Sequence, residues 1–293
     1  MTGLEPLDAG SVAAFVERAL AEDAARDDAT VAYLDLAGGE VDAEIRGSQD
    51  LRVAGIGVAR EVFRQLDPGV TFDARVADGD RVVDGTVLVV LRGSARTIVQ
   101  GERTALNFVQ RMSGVATLAG RYVAAVEGTG VTILDTRKTA PLWRELDKYA
   151  VRCGGASNHR RDLHAMVLIK DNHVRAVGGV QAVLRRIADA PPAKFVELEV
   201  DSPAFLGALL ESPALAHVHR VMLDNFTPAQ VGAALVAIEP RREAGRDQRL
   251  EVEVSGGITL DTVRSFALRG VDFISVGALT HSAPAASMSL EVL

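Results

Sequence analysis

The chain has 293 residues, a hydrophobic content of 48% and a formal net charge of -7, enough for one large domain or two ordinary ones with a sizeable core. The acidic balance and an aromatic content of 4% argue against bulk nucleic-acid binding, which needs a basic face or stacking platforms. No apolar run is long enough to span a membrane, and the N-terminus lacks a basic stretch followed by an apolar one, so the expectation is a cytoplasmic protein with no membrane partner. The single cysteine, Cys153, rules out an intrachain disulfide and a multi-cysteine metal site. Beside a Gly-Gly turn it reads as a buried thiol.

Ser11 can cap a first helix whose positions Val12, Phe15, Val16, Ala19 and Leu20 share one face, and the acidic cluster Glu22, Asp23, Asp27 and Asp28 ends it. From Val41 to Arg92 the pattern becomes short and alternating, with Gly79 and Gly85 in turns, which predicts an antiparallel sheet interrupted by a helix over about 58–66. A long helix is expected from Ala95, with Arg103 in the run GERTALN; Gly114 is expected to break it and a second helix to run to about Val126. A helix arginine most often pairs with a nearby acid, here Glu102 or a neighbour at helical spacing.

The remainder reads as a βα series. Short apolar strands are predicted at Val131–Asp135, Met166–Lys170, Phe195–Val200, Val221–Asp224, Leu250–Ser255 and Phe273–Val276, with helical spacing between most of them. That order calls for a parallel sheet, either open and doubly wound or a barrel short of completion. The polar residues decide for a barrel, because each strand carries a polar residue or glycine at its carboxyl end, the rim where barrel enzymes place their chemistry. The expected fold class is α/β: an α+β N-terminal domain over 1–112 and an open, incomplete, six-stranded α/β barrel over 113–279, with the tail 280–293 returning to the first domain. The arginine-rich stretch Arg241–Arg249 reads as a solvated connection.

Cations concentrate between Asp135 and Arg175, where nine Lys and Arg face five Asp and Glu in an otherwise acidic chain. Lys138, Lys148 and Lys170 are three of only four lysines in the sequence, so point-charge ammonium groups gather where the chain otherwise prefers guanidinium. Interleaved with Gly154, Gly155 and Asn158 and followed by the apolar strand MVLIK, these charges point to a polyanion site rather than a solvated basic face. Ser255, Gly256 and Gly257 lead into a predicted helix over 258–268, a turn that can hold a phosphate, and Gly277 with Ala278 can add a second set of amides. Glu199 and Asp224 end consecutive strands, so their carboxylates can converge on a divalent ion or on a developing positive charge, or each can pair with a nearby cation. Magnesium fits this oxygen-donor set better than zinc, because His159, His164 and His173 show no zinc-type pairing.

The runs GERTALNFVQRMSGVAT (101–117), DTRKT (135–139), KYAVRCGGASNHR (148–160), LIKDNH (168–173), ELEVD (197–201), MLDN (222–225), SGGIT (255–259) and GVDFISVGALTHS (270–282) resemble quinolinate phosphoribosyltransferase, also known as carboxylating nicotinate-nucleotide pyrophosphorylase. Weaker similarity in AEDAARDDAT (21–30) and DGDRVVDG extends the resemblance over nearly the whole chain. It implies a magnesium-dependent enzyme of NAD synthesis, a pentosyltransferase that takes quinolinate and phosphoribosyl diphosphate to nicotinate mononucleotide, diphosphate and CO2. It also implies a homodimer with shared active sites, the higher oligomer being left open. Carried over by motif, Arg103 serves the neighbouring subunit's site, and Arg137, His159, Arg160 and Lys170 surround the quinolinate carboxylates. Lys138, Glu199 and Asp224 lie along the ribose, the diphosphate and the metal, while Ser255, Gly256, Gly257, Gly277 and Ala278 take the 5-phosphate.

This chain departs from the family pattern in places. Leu142, Trp143 and Arg144 follow Pro141 where the family has Gly-Leu-Arg; Arg161, Asp162, Leu163, His164 and Ala165 replace a Gly-Leu-acid run; and Asp27 stands at a usual glycine. These changes flank the charged positions and bear on loop shape and substrate preference. A related molybdenum-uptake family shares much of the pattern, and a non-catalytic phosphate sensor on the same scaffold is a further alternative. The full cation set favours a dicarboxylate substrate, and the intact pair Glu199 and Asp224 favours catalysis.

Overall fold

The computed structural model describes residues 4–36, 39–191, 193–242 and 249–293, and divides into two compact units. The first comprises residues 1–120, 139–156 and 279–293; the second comprises 121–138 and 157–278.

In the first unit, α1 (Ala9–Glu22) and α2 (Ala29–Tyr33) precede β1 (Glu40–Gly47), β2 (Leu51–Arg52), α3 (Ile56–Leu66), β3 (Thr71–Ala74), β4 (Arg81–Val82) and β5 (Val87–Ser94). Asp8, not Ser11, caps α1: its carboxylate accepts the Ser11 backbone N–H at 2.8 Å, so Ser11 lies inside the first turn. The antiparallel sheet runs C-terminal strand (Met288–Val292), β1, β5, β3, with β2 and β4 as a separate ladder. Gly79 and Gly85 adopt positive φ in the turns expected of them.

Helix α4 spans Ala95–Ala125 without a break. Gly114 therefore does not end it. A Cβ there would stand 2.0 Å from the Pro284 carbonyl oxygen, so this glycine serves close packing of the C-terminal segment, a role local pattern does not reveal. Helix α5 (Arg144–Cys153) also belongs to the first unit, whereas the sequence reading placed 113–279 in the barrel. Its C-cap explains the association, because a Cβ on Gly154 would lie 2.4 Å from the Ala119 Cβ on α4. Cys153 is a buried free thiol, pushed up to about 12 by burial and by the neighbouring Asp78 charge, as a structural cysteine should be.

The second unit holds β6 (Thr132–Leu134), β7 (Val167–Ile169), β8 (Val196–Val200), β9 (Arg220–Asp224), β10 (Glu251–Ser255) and β11 (Phe273–Ser275). They form one parallel sheet in the order β6, β11, β10, β9, β8, β7, the six strands predicted. Helices α6 (Asp171–Ala176), α7 (Val180–Ala188), α8 (Pro203–Leu210), α9 (Pro228–Ile238) and α10 (Val263–Phe266) follow β7, β8, β9 and β10 as crossover connections. Strands β6 and β7 are the two ends of the sheet order, and Ser157 makes a parallel bridge to Leu134 beside the free edge of β6. This is the open barrel the sequence called for.

Most of the stretch 241–249 lies outside the described residues. Arg242 at its start is not solvated: it is buried and donates to the carbonyls of Leu250 and Gly270 and to Asp272. Among the described residues no helix is long and apolar enough to cross a membrane.

Candidate active site

A cavity of about 360 Å3 opens in the second unit, lined by Thr136, Arg137, Lys138, His159, Arg160, Leu168, Lys170, Glu199, Met222, Asp224, Glu253, Ser255 and Ser275. The strand ends gather these groups because parallel strands of a barrel deliver their carboxyl-terminal residues to one rim. Leu168 and Met222 give the cavity an apolar side, and the other lining residues are polar or charged.

Arg137 follows β6, and Arg160 sits in the loop that bridges to the same strand. Asp135 fixes that loop from a fully buried position: its Oδ1 accepts the His159 backbone N–H at 2.8 Å and its Oδ2 accepts from Asn158 Nδ2 at 2.7 Å. Arg160 donates from one terminal nitrogen to the Met166 carbonyl at 3.1 Å. The Nε atoms of both Arg137 and Arg160 are buried without a hydrogen-bond partner. Burial and the like charge of Arg137 lower the Arg160 pKa, so the pair is set up to receive an anion.

Lys170 caps α6 and donates from Nζ to Glu199 Oε2 at 2.8 Å. Asp224 ends β9 and accepts from Asn225 Nδ2 at 2.6 Å. Its carboxyl is raised by burial and by the nearby Glu199 charge, against the opposing pull of Lys170 and Lys138. A carboxyl raised by a neighbouring carboxylate is a natural seat for a cation.

Beneath these groups lies a buried ionic cluster that sequence reasoning missed. His159 Nε2 stands 3.0 Å from Glu197 Oε2 and 3.5 Å from Glu253 Oε2, with all these side chains at most 5% exposed. Arg220 donates to Glu253 at 3.0 Å and to Glu251 at 2.8 Å. Burial lowers the His159 pKa, but the carboxylates of Glu197 and Glu253 more than offset it and carry it up to about 9. Its Nδ1 accepts the Arg160 backbone N–H at 2.8 Å, a contact of the neutral ring. The carboxylates facing Nε2 favour the protonated ring and the amide facing Nδ1 the neutral one, and Glu197, itself raised by burial and by the Glu253 charge, shares the proton across Nε2. The His159, Glu197 and Glu253 ligand atoms lie within 4.8 Å of one another, in the manner of a metal site. The direct His159–Glu197 contact and the Arg220 cation already supply the compensation a metal would bring. Alternation was the available signal: Glu197 and Glu199, and Glu251 and Glu253, recur with period two in strands that should read as continuous apolar runs.

The other predicted residues divide. Ser255 lines the cavity, whereas Gly256, Gly257, Gly277 and Ala278 are not among its lining residues. Gly256 and Gly257 have positive φ of 94° and 61°. The helix expected at 258 begins only at Val263 and has four residues, because Thr259 and Thr262 close a local side-chain turn first. The loop amides alone, without a helix dipole of any length, are therefore what a phosphate would meet. Arg103 is exposed on α4 in the first unit and does not line the cavity. Lys148 and Arg152, grouped with the cation site in the sequence reading, belong to α5 instead: Lys148 is buried and Arg152 pairs with Glu5 at 3.2 Å. Arg161 is exposed and also outside the lining. Leu142, at the family glycine position, keeps the left-handed backbone that glycine favours, with φ 66°, while the adjacent Trp143 stacks on Phe108 at 5.3 Å.

Comparison with known proteins follows the same line. The chain is 42% identical over 243 residues to the carboxylating nicotinate-nucleotide pyrophosphorylase of Mycobacterium leprae, covering 82% of each chain. It is 38% identical over 291 residues to the chloroplastic enzyme of that name from Arabidopsis thaliana, covering 95% of this chain and 82% of the relative. The solved structure of the nicotinate-nucleotide pyrophosphorylase from Francisella tularensis superposes with a TM-score of 0.86 at 34% identity over 100% of both chains. With residues 28–113 matching the N-terminal and 115–291 the C-terminal domain of quinolinate phosphoribosyl transferase, the chain belongs to that family.

Proposed function

We propose that this chain is a carboxylating nicotinate-nucleotide pyrophosphorylase, EC 2.4.2.19, that transfers the phosphoribosyl group of phosphoribosyl diphosphate to quinolinate in de novo NAD biosynthesis. The products are nicotinate mononucleotide, diphosphate and CO2. The observation that carries the reading is one cavity with Arg137, His159, Arg160 and Lys170 beside Lys138, Glu199 and Asp224 at the ends of parallel strands. Both substrates are anions, and they share a pocket only where fixed cations offset their repulsion.

In this account Arg137, His159, Arg160 and Lys170 hold the two quinolinate carboxylates, and Leu168 and Met222 take the ring face. Lys138, Glu199 and Asp224 lie along the ribose and diphosphate, and the loop Ser255–Gly257 with Gly277 and Ala278 takes the 5-phosphate. As the bond from ribose C1 to diphosphate breaks, positive character grows at C1, where the Glu199 and Asp224 carboxylates stabilise it. The ring nitrogen forms the new bond to C1. The 2-carboxylate then leaves as CO2, its bonding pair passes to C2 of the pyridinium, and a proton completes the product. No covalent nucleophile is required, in accord with the raised and buried Cys153 thiol.

Magnesium is part of the proposal. Glu199 and Asp224 would hold it together with substrate oxygens, and the elevation of Asp224 by the Glu199 charge fits that role. Bound there, it supplies charge compensation for the departing diphosphate. The working form is proposed as a cytoplasmic homodimer in which Arg103, exposed on its own chain, completes the partner's site. The direct test is steady-state turnover with phosphoribosyl diphosphate, magnesium and either quinolinate or nicotinate. Turnover with quinolinate alone supports the reading; turnover with nicotinate at a similar rate contradicts it.

A further inference from the structure

The inward side chains of a barrel are usually branched aliphatics that fill it without charge. Here three strands place Glu197, Arg220 and Glu253 inside, with the two glutamates fully buried. Arg220 is clamped over Phe273 at 4.0 Å and over Phe195 at 5.3 Å, and from that fixed seat it donates to Glu253 at 3.0 Å. Glu253 in turn faces His159 Nε2 at 3.5 Å, next to Glu197 at 3.0 Å, and the far side of the same ring meets the Arg160 backbone at 2.8 Å. The contacts thus form an unbroken ladder from the Phe195 and Phe273 rings up to the two residues that line the anion side of the cavity.

A buried ion network costs desolvation that an apolar core of the same volume avoids, so its presence needs a reason beyond stability. We infer that Glu253 is a positioning residue for dicarboxylate recognition: seated on Arg220, it fixes the His159 ring, and through that ring Arg160, in the place where the substrate carboxylates bind. Glu253 borders the cavity but has no exposed surface of its own, so its action on a bound carboxylate passes through His159. The inference rests on the quinolinate reading above and extends it to the buried side chains that hold the His159 ring.

A double-mutant cycle tests it. Wild type, Glu253→Gln, His159→Asn and the double variant are compared by kcat/KM for quinolinate at saturating phosphoribosyl diphosphate, with the KM for phosphoribosyl diphosphate as the internal control. Glu253→Gln is nearly isosteric and is expected to lower kcat/KM for quinolinate about tenfold, the scale of a network coupling. The KM for phosphoribosyl diphosphate should stay within about twofold, a difference near the limit of additivity. In the His159→Asn background the same substitution should cost almost nothing more. If Glu253→Gln fails to fold, Glu253→Asp draws the carboxylate back from Nε2 and should show the same selective loss. An equal loss in both backgrounds, or an equal loss toward both substrates, overturns the positioning role. Absence of quinolinate turnover in the wild type overturns instead the reading on which it rests.

Discussion

Lys170 Nζ donates to Glu199 Oε2 at 2.8 Å, linking the residue proposed for the dicarboxylate side to the one proposed for the ribose side. The pair is half exposed at the lysine and almost closed at the carboxylate, with side-chain exposures of 42% and 10%. Quinolinate entry would draw the ammonium toward a substrate carboxylate and release Glu199 for ribose and metal. Lys170→Met should therefore lower kcat/KM for quinolinate by about 100-fold, the scale of losing one directed charge in an active site, and magnesium should bind the substrate-free variant at least as well as the wild type. Kinetics combined with a magnesium-dependent thermal shift would check both parts; weaker magnesium binding in the variant would contradict the competition.

His159 carries the pH dependence. Its folded pKa, about 9, lies above the ordinary 6.5, so its contribution to stability is fully present below about pH 6.5 and is lost as pH rises through about 9. Binding of a dicarboxylate should weaken over the same range. Phthalate has the quinolinate carboxylates without the ring nitrogen, and it can be titrated from neutral to alkaline pH without turnover. The wild-type affinity should fall through this window, whereas His159→Asn should start weaker and change little. An identical pH profile in the two proteins would place the titration elsewhere.

Gly256 is constrained twice, by a φ of 94° and by Asn225, whose Oδ1 and backbone nitrogen would lie 2.3 and 2.7 Å from an added Cβ. Gly256→Ala should destabilise the second unit by about 1–3 kcal/mol and raise the KM for phosphoribosyl diphosphate more than that for quinolinate. Denaturant unfolding and substrate kinetics measure these separately. An unchanged KM for phosphoribosyl diphosphate would leave the glycine with a packing role alone.

The proposed sharing of sites between subunits makes a prediction that needs no structure of the assembly. Arg103→Ala and Lys170→Ala should each be inactive alone. Random subunit exchange gives mixed dimers with one intact site each, so activity should recover to about a quarter of the wild-type level. No recovery, with exchange confirmed by mass, would contradict the assignment of Arg103 to the partner's site.

Much of this was legible in the sequence. All six barrel strands were visible as short apolar runs, and Lys170, Glu199, Asp224 and Ser255 could be placed on the rim because each falls at a strand end. What stayed hidden depends on contacts distant in the chain. Gly114 looked like a helix breaker because its requirement is set by Pro284. The cap of α1 shifted to Asp8 because either residue satisfies the local rule, and the carboxylate three residues earlier makes the bond. Glu197, Arg220 and Glu253 drew no role from the sequence, since charge inside a barrel becomes sensible only when the two glutamates are seen around one histidine with Arg220 on Glu253. Arg103 could be singled out by its motif alone, because nothing local distinguishes it from any other exposed helix arginine.

The measurement that bears most directly on the account is release of labelled CO2 from quinolinate carrying the label in its 2-carboxyl group, followed alongside nicotinate mononucleotide formation with and without phosphoribosyl diphosphate. The account predicts one CO2 per mononucleotide, and none without the phosphoribosyl donor, because the ring nitrogen must first become a pyridinium to accept the electron pair. Release of CO2 without the donor, or mononucleotide formed with the label retained, would contradict it.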